Sequence, residues 1–129
     1  MILGLQHIDP QRIASIDSNG KELRYAEICQ LSQHITSLIP TRSLCFLLVE
    51  NNVGGIAWVM SMLDSRQLVP LILNVKTEDT LYQQLCNTYQ PTYICAPNHF
   101  AVQGEVVGCQ YEYTLTKVSD STPALHSEL

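Results

Sequence analysis

SLCFLLVENNVGGIAWVMSMLDSRQLVPLILN, residues 43–74, decides how this chain folds. It opens on SLCFLLVE (43–50), an apolar run too short for a helix between its flanks. A strand buried on both faces reads this way, as strands of parallel sheets do. A helix follows over about 52–66, with Asn51 or Asn52 as its cap, since a short amide side chain can accept from the first free N–H groups. Val53, Ile56, Ala57, Val59, Met60, Met62 and Leu63 leave it little polar face, so it is expected to be largely buried. LVPLILN (68–74) is then a second apolar strand.

Toward the N-terminus, IASID (13–17) and KELRY (21–25) flank Ser18-Asn19-Gly20. Asn-Gly between two alternating runs predicts a β-hairpin, because both residues tolerate positive φ. Ile28, Leu31, Ile35, Leu38 and Ile39 recur at spacings of three and four and predict a first helix, which Pro40 ends. Toward the C-terminus a third helix starts at Thr77, with Glu78 and Asp79 where the positive end of the helix dipole favours acids. Leu81, Leu85 and Tyr89 are its expected inner stripe, and Pro91 closes it. TYICA (92–96) is a third strand.

Strands alternating with helices across short connections predict an α/β fold of three layers, a mostly parallel sheet flanked by helices, preceded by the N-terminal hairpin. GEVVGCQYEYTLTKV (104–118) alternates as one or two further strands, expected to be antiparallel, and SDSTPALHSEL is a turn-rich tail. The expectation is one domain over residues 1–129, with the α/β core over 13–97 and an irregular or strand-rich tail over 98–129.

Charged residues make up only 15% of the chain, against the roughly 25% usual for a globular domain. So little charge leaves apolar surface for a partner, and self-association is expected. A net charge of −5 with no basic run argues against nucleic acid or anionic membrane as a partner. No stretch reaches the roughly 20 apolar residues of a membrane span, and MILGLQHIDPQR lacks the pattern of a signal peptide. The five cysteines are odd in number and scattered, which suits reduced thiols of the cytoplasm better than a disulfide framework.

The turn after the first apolar strand, ENNVGG (50–55), sits where α/β proteins cradle phosphate. It has neither G-x-G-x-x-G nor G-x-x-x-x-G-K-[ST], and its glycines fall inside the helix rather than before it. Two helical glycines cost roughly 1–2 kcal/mol against alanine, and close approach of the helix to the sheet explains tolerating them. Glu50 and Asn51 remain the candidate ligand-contacting residues, because they lie at the carboxyl end of a central strand. No catalytic residue set emerges: there is no nucleophile elbow. His7, His34, His99 and His126 have no acid at ligand spacing, so no metal is expected. Cys45 and Cys95 read as core, Trp58 as core of the second helix or part of a covered surface, and His34 as a solvated or half-buried side chain. Tyr111 and Tyr113 read as alternating strand aromatics that pack across strands.

Two segments carry a resemblance. LRYAEI (23–28) resembles the L-[ST]-Y-x-E-L approach to the first helix of adenylate-forming enzymes, the acyl-CoA synthetases, luciferases and amino-acid-activating domains. MLDSRQLVPLILNVKTED (62–79) is similar to their next signature, L-[KR]-A-G before a strand V-P-[LIV]-x-P, with Leu63, Val69, Pro70 and Leu71 matching. Arg24 stands where that pattern has a Thr or Ser cap, Ser65-Arg66 where it has A-G, and Asn74-Val75 where it has an acidic residue and proline. The resemblance covers about residues 13–97. It implies a parent enzyme that activates a carboxylic acid with ATP and Mg, forming an acyl-adenylate and then a thioester. The Ser/Thr/Gly phosphate loop of such enzymes follows a stretch like PALHSEL (123–129), so the chain is expected to lack it and to be inactive alone. The implied partner is the remainder of the parent. The other reading is a free-standing, non-catalytic α/β interaction module.

Overall fold

The computed structural model describes residues 9, 11–16 and 20–119. Ser18-Asn19 of the hairpin turn, His7, His126 and the tail after Ser119 lie outside the described residues. The hairpin expectation is met by β1 (Ile13–Ile16) and β2 (Glu22–Arg24), which pair antiparallel as a two-stranded sheet. α1 (Tyr25–Leu38) follows directly and buries Ile28, Leu31, Ser32 and Ile35, with Ile39 buried at its C-cap. Arg24 has no side-chain acceptor with which to cap this helix. Instead the Glu27 carboxylate reaches back and accepts from the Arg24 N–H at 3.0 Å, the other half of a capping box.

The main sheet has five strands: β3 (Ser43–Val49), β4 (Leu68–Asn74), β5 (Tyr93–Pro97), β6 (Glu105–Gln110) and β7 (Tyr113–Lys117). Their spatial order is β4-β3-β5-β7-β6. β3 is parallel to both β4 and β5, whereas β7 runs antiparallel to β5 and β6. The C-terminal alternation therefore completes the main sheet as a hairpin. α2 (Val53–Ser65) connects β3 to β4, and α3 (Asp79–Tyr89) connects β4 to β5.

Strand alternation divides the core into two clusters, one on each face of the sheet. Cys45 and Leu47 of β3, Tyr93 and Cys95 of β5, and Tyr113 and Leu115 of β7 join the side chains of α1 and α2. Phe46 and Leu48 of β3 with Ile94 and Ala96 of β5 meet Tyr82, Leu85 and Cys86 of α3. Three layers result, with two helices on one face and one on the other. Fully buried side chains such as Phe46 and Leu48 stabilise this arrangement by roughly 1.5–3 kcal/mol each.

Both outer helices differ in detail from their sequence patterns. Trp58 and Met62 are buried, but Ile56 and Leu63 point outward at 39% and 40% exposure, leaving α2 an apolar stripe in solvent. In α3 the inner face is Tyr82, Leu85 and Cys86 rather than Leu81, Leu85 and Tyr89; Leu81 and Tyr89 are exposed. A register of three and four fits either set, and tertiary contact with Phe100 chose the Tyr82 side, the two rings meeting edge to face at 5.8 Å.

β4 is an edge strand that carries a proline. Ser43 N–H donates to Gln67 O and Val75 N–H to Val49 O, so odd-numbered positions of β4 address β3. Pro70 therefore addresses the open edge, where its missing N–H removes no ladder bond and discourages pairing with another strand.

Candidate functional site

Open α/β sheets bind ligands beyond the carboxyl ends of strands whose following segments leave on opposite faces. β3 and β5 meet that condition here. From β3 the chain passes into α2 on the two-helix face; from β5 it passes through Phe100 and Val102, which pack on the α3 face. Glu50 follows β3 and His99 follows β5, and the two side chains pair across the crevice through Glu50 Oε1 and His99 Nε2. The histidine is 67% exposed and the carboxylate 35%, so the pair lies at the surface and forms no buried site. Asn51 is exposed beside them and does not cap the helix.

Asn52 is the cap. Its Oδ1 accepts from Gly55 N–H at 2.9 Å, satisfying one of the free donors at the start of α2. The remaining space is filled by the tip of the β6–β7 hairpin. Tyr113 Oη accepts from Glu50 N–H at 3.0 Å and donates to Asn52 Oδ1 at 2.9 Å. Trp58 Nε1 donates to Gln110 O at 3.1 Å, and Tyr111 Oη to Glu27 Oε2 at 3.3 Å. Asn98 N–H donates to Glu112 O at 2.8 Å, so the loop after β5 is tied to the same tip.

Gly54 makes room for this tip, and Gly55 for the backbone at the end of β3. A Cβ on Gly54 would come within 2.6 Å of Tyr111 O and 2.7 Å of the Tyr113 ring. A Cβ on Gly55 would come within 2.8 Å of Glu50 O. Such approaches leave no room for any side chain. The hairpin turn is as constrained as what it touches: Tyr111 and Glu112 adopt φ of 55° and 65°, a pair of left-handed residues joining the strands as a two-residue turn does. Tyr111 thus belongs to the turn rather than to a strand, and Tyr113 packs beneath a helix rather than across strands.

Electrostatics agree with a filled junction. Burial pushes the Tyr113 hydroxyl up, against the opposing pull of its bond from Glu50 N–H. Burial, and then the Glu27 charge it faces, push Tyr111 up to about 12. Both phenols are held neutral as hydrogen-bonding groups.

Other sequence candidates are dispersed. Cys45 and Cys95 are buried, and burial pushes both thiols up; all five cysteines are free thiols. His34 is half-buried and lies 3.9 Å from where a Cβ on Gly108 would be. Among the described residues no group of three or more His, Cys, Asp or Glu could hold a metal ion, and no helix is long and apolar enough to cross a membrane. Sequence reasoning missed Tyr113 as the partner of the glycines. The Gly54-Gly55 pair announces a close approach, but nothing local identifies a residue 61 positions after Asn52 as what approaches. Cavities occur elsewhere: one of about 390 Å³ between α3 and residues 101–103, and one of about 380 Å³ between α1 and α2. Comparison of the chain with protein-family models and with curated proteins gives no match.

Proposed function

We propose that this α/β unit is the N-terminal structural part of an adenylate-forming, acid-activating ligase, acting in the cytoplasm as scaffold for a remainder that would bring ATP and Mg. Within these residues it performs no phosphate chemistry. The observation that carries the reading is where the two family-like segments fall. LRYAEI runs from β2 into α1, and MLDSRQLVPLILNVKTED runs from the last turn of α2 through β4 to the start of α3. A second feature agrees: Arg66 has φ of 65°, the left-handed conformation that favours glycine, where the family pattern carries glycine. Tyr113 of β7, packed against the turn after β3, supports a scaffold rather than a nucleotide loop, since Glu50 N–H and the helical Gly55 N–H already have protein partners. The five free thiols fit a reducing compartment.

Reading the coding sequence beyond Leu129 tests this proposal. A Ser/Thr/Gly-rich loop followed by Pro-Lys is the expected result; a stop codon or unrelated sequence contradicts it and favours the second reading. That second reading, a free-standing interaction module, is favoured by the outward stripe of Ile56 and Leu63 together with Ile72 of β4, 49% exposed. It predicts concentration-dependent association in sedimentation, reduced by Leu63→Glu. A strict monomer at high concentration with little binding of a hydrophobic dye contradicts it.

A further inference from the structure

α1 and α2 run parallel along one face, and their contacts climb both helices together. Ser61 Oγ donates to Ile28 O, Ser32 Oγ donates to Asp64 Oδ2 at 2.7 Å, and the Thr36 and Ser65 hydroxyls meet at 2.8 Å. Near their C-terminal ends lies the cavity of about 380 Å³, lined by Ser32, Gln33, Thr36, Asp64, Ser65 and Arg66. Asp64 is only 2% exposed. Its Oδ2 takes the Ser32 bond, while its Oδ1 is buried with no hydrogen-bond partner.

That carboxylate is under-compensated. It sits in the last turn of α2, where the carbonyl end of the helix disfavours negative charge. One hydroxyl bond does not repay the desolvation of a buried anion. Its field reaches a neighbour: after burial itself, the Asp64 charge is what raises the Cys29 thiol. The shape and donor set of the cavity indicate what would neutralise it. The cavity is larger than a bare ion requires, and no group of metal-ligating side chains accompanies the lone carboxylate among the described residues.

We propose that this cavity binds the ammonium group of a small primary amine, with Asp64 as its charge partner and the Thr36 and Ser65 hydroxyls as neutral acceptors. An ammonium has three donors and no acceptor, which suits one carboxylate oxygen flanked by hydroxyls. The methylenes of Gln33 and Arg66 at the rim would cover a short alkyl chain. Both rim residues are exposed.

The test is an NMR titration of the full 129-residue chain with n-butylammonium chloride, against tetramethylammonium chloride and KCl at equal ionic strength. The expected result is saturable shifts at residues 32–36 and 64–66 with butylammonium alone. Asp64→Asn is expected to weaken binding about tenfold or more. Thr36→Val, at an exposed position, is expected to weaken it several-fold and serves if the first variant does not fold. Nα-acetyl-lysine N-methylamide distinguishes the source of the amine: tighter binding than butylammonium assigns the ammonium to a protein side chain, and weaker binding to a free amine. Equal shifts from tetramethylammonium or KCl, no saturable shift, or affinity unchanged in both variants overturns the proposal and leaves Asp64 as a water-satisfied structural carboxylate.

Discussion

The two ends of α2 are built on opposite terms. At its start the polar groups are matched within the protein: Asn52 caps Gly55, Tyr113 bridges Glu50 and Asn52, and two glycines admit the hairpin tip. At its finish a buried carboxylate keeps one oxygen without a partner, and Arg66 takes a left-handed turn that an arginine adopts at a cost. The end that looks like a phosphate site in sequence is closed. The end that looked like an ordinary helix terminus holds a cavity. Glycine beside a helix start is therefore ambiguous: it signals close approach, and the approaching group can be the protein itself.

The sharpest way to break this contrast is Gly54→Ala. At an open helical position the exchange would stabilise by about 1 kcal/mol. Here the added methyl would collide with backbone at Tyr111 and with the Tyr113 ring, and a loss of about 3 kcal/mol is expected in urea denaturation. A neutral or stabilising result would mean the junction is loose. Tyr113→Phe is expected to lose less, about 1–2 kcal/mol, because the ring still fills its space while Glu50 N–H loses its acceptor and Asn52 Oδ1 keeps only the bond from Gly55 N–H. An unchanged midpoint would show that water replaces the hydroxyl.

Alkaline pH probes the same junction. Tyr111 stands at about 12 in the folded chain against about 10 unfolded, and Tyr113 shifts the same way. A raised folded value favours the neutral form, so its contribution is complete below about pH 10 and disappears as pH climbs from about 10 through about 12. The buried thiols of Cys45 and Cys95 lose stability from a lower onset, near their ordinary value of 9.0. Chemical denaturation across this range should show a fall that Tyr111→Phe removes only in its upper part; an identical profile in the variant contradicts the assignment. At the other end of the helix the smallest effect is expected, and of opposite sign. Arg66→Gly should stabilise by about 0.5–1 kcal/mol by relieving the left-handed turn, and a loss would show that the arginine contributes contacts that outweigh its strain.

Much of this architecture was legible because each element carried its own signal. SLCFLLVE read as a two-faced buried strand, and β3 is buried on both faces beside two parallel neighbours. The stripe through Ile28, Leu31 and Ile35 matched α1, and Asn52 was one of two caps considered for α2. What sequence could not resolve was partner choice over long separations. The rotation of α3 depended on Phe100, the outward stripe of α2 on having no neighbour over it among the described residues, and the fate of Gly54-Gly55 on a tyrosine in the last hairpin. Glu50 was rightly located at the end of a central strand, but its pairing with His99 needed two loops brought together by the sheet. Asp64 gave no signal at all, since a single acid near a helix end is ordinary in sequence and unusual only once buried.

Calorimetric titration of the chain with Mg-ATP tests the central claim most directly. A turn already occupied by Tyr113 and Asn52 predicts no saturable heat into the millimolar range, with Tyr113→Ala no better than the parent. Saturable binding at micromolar concentration, weakened by changing Glu50 or Asn51, would contradict it.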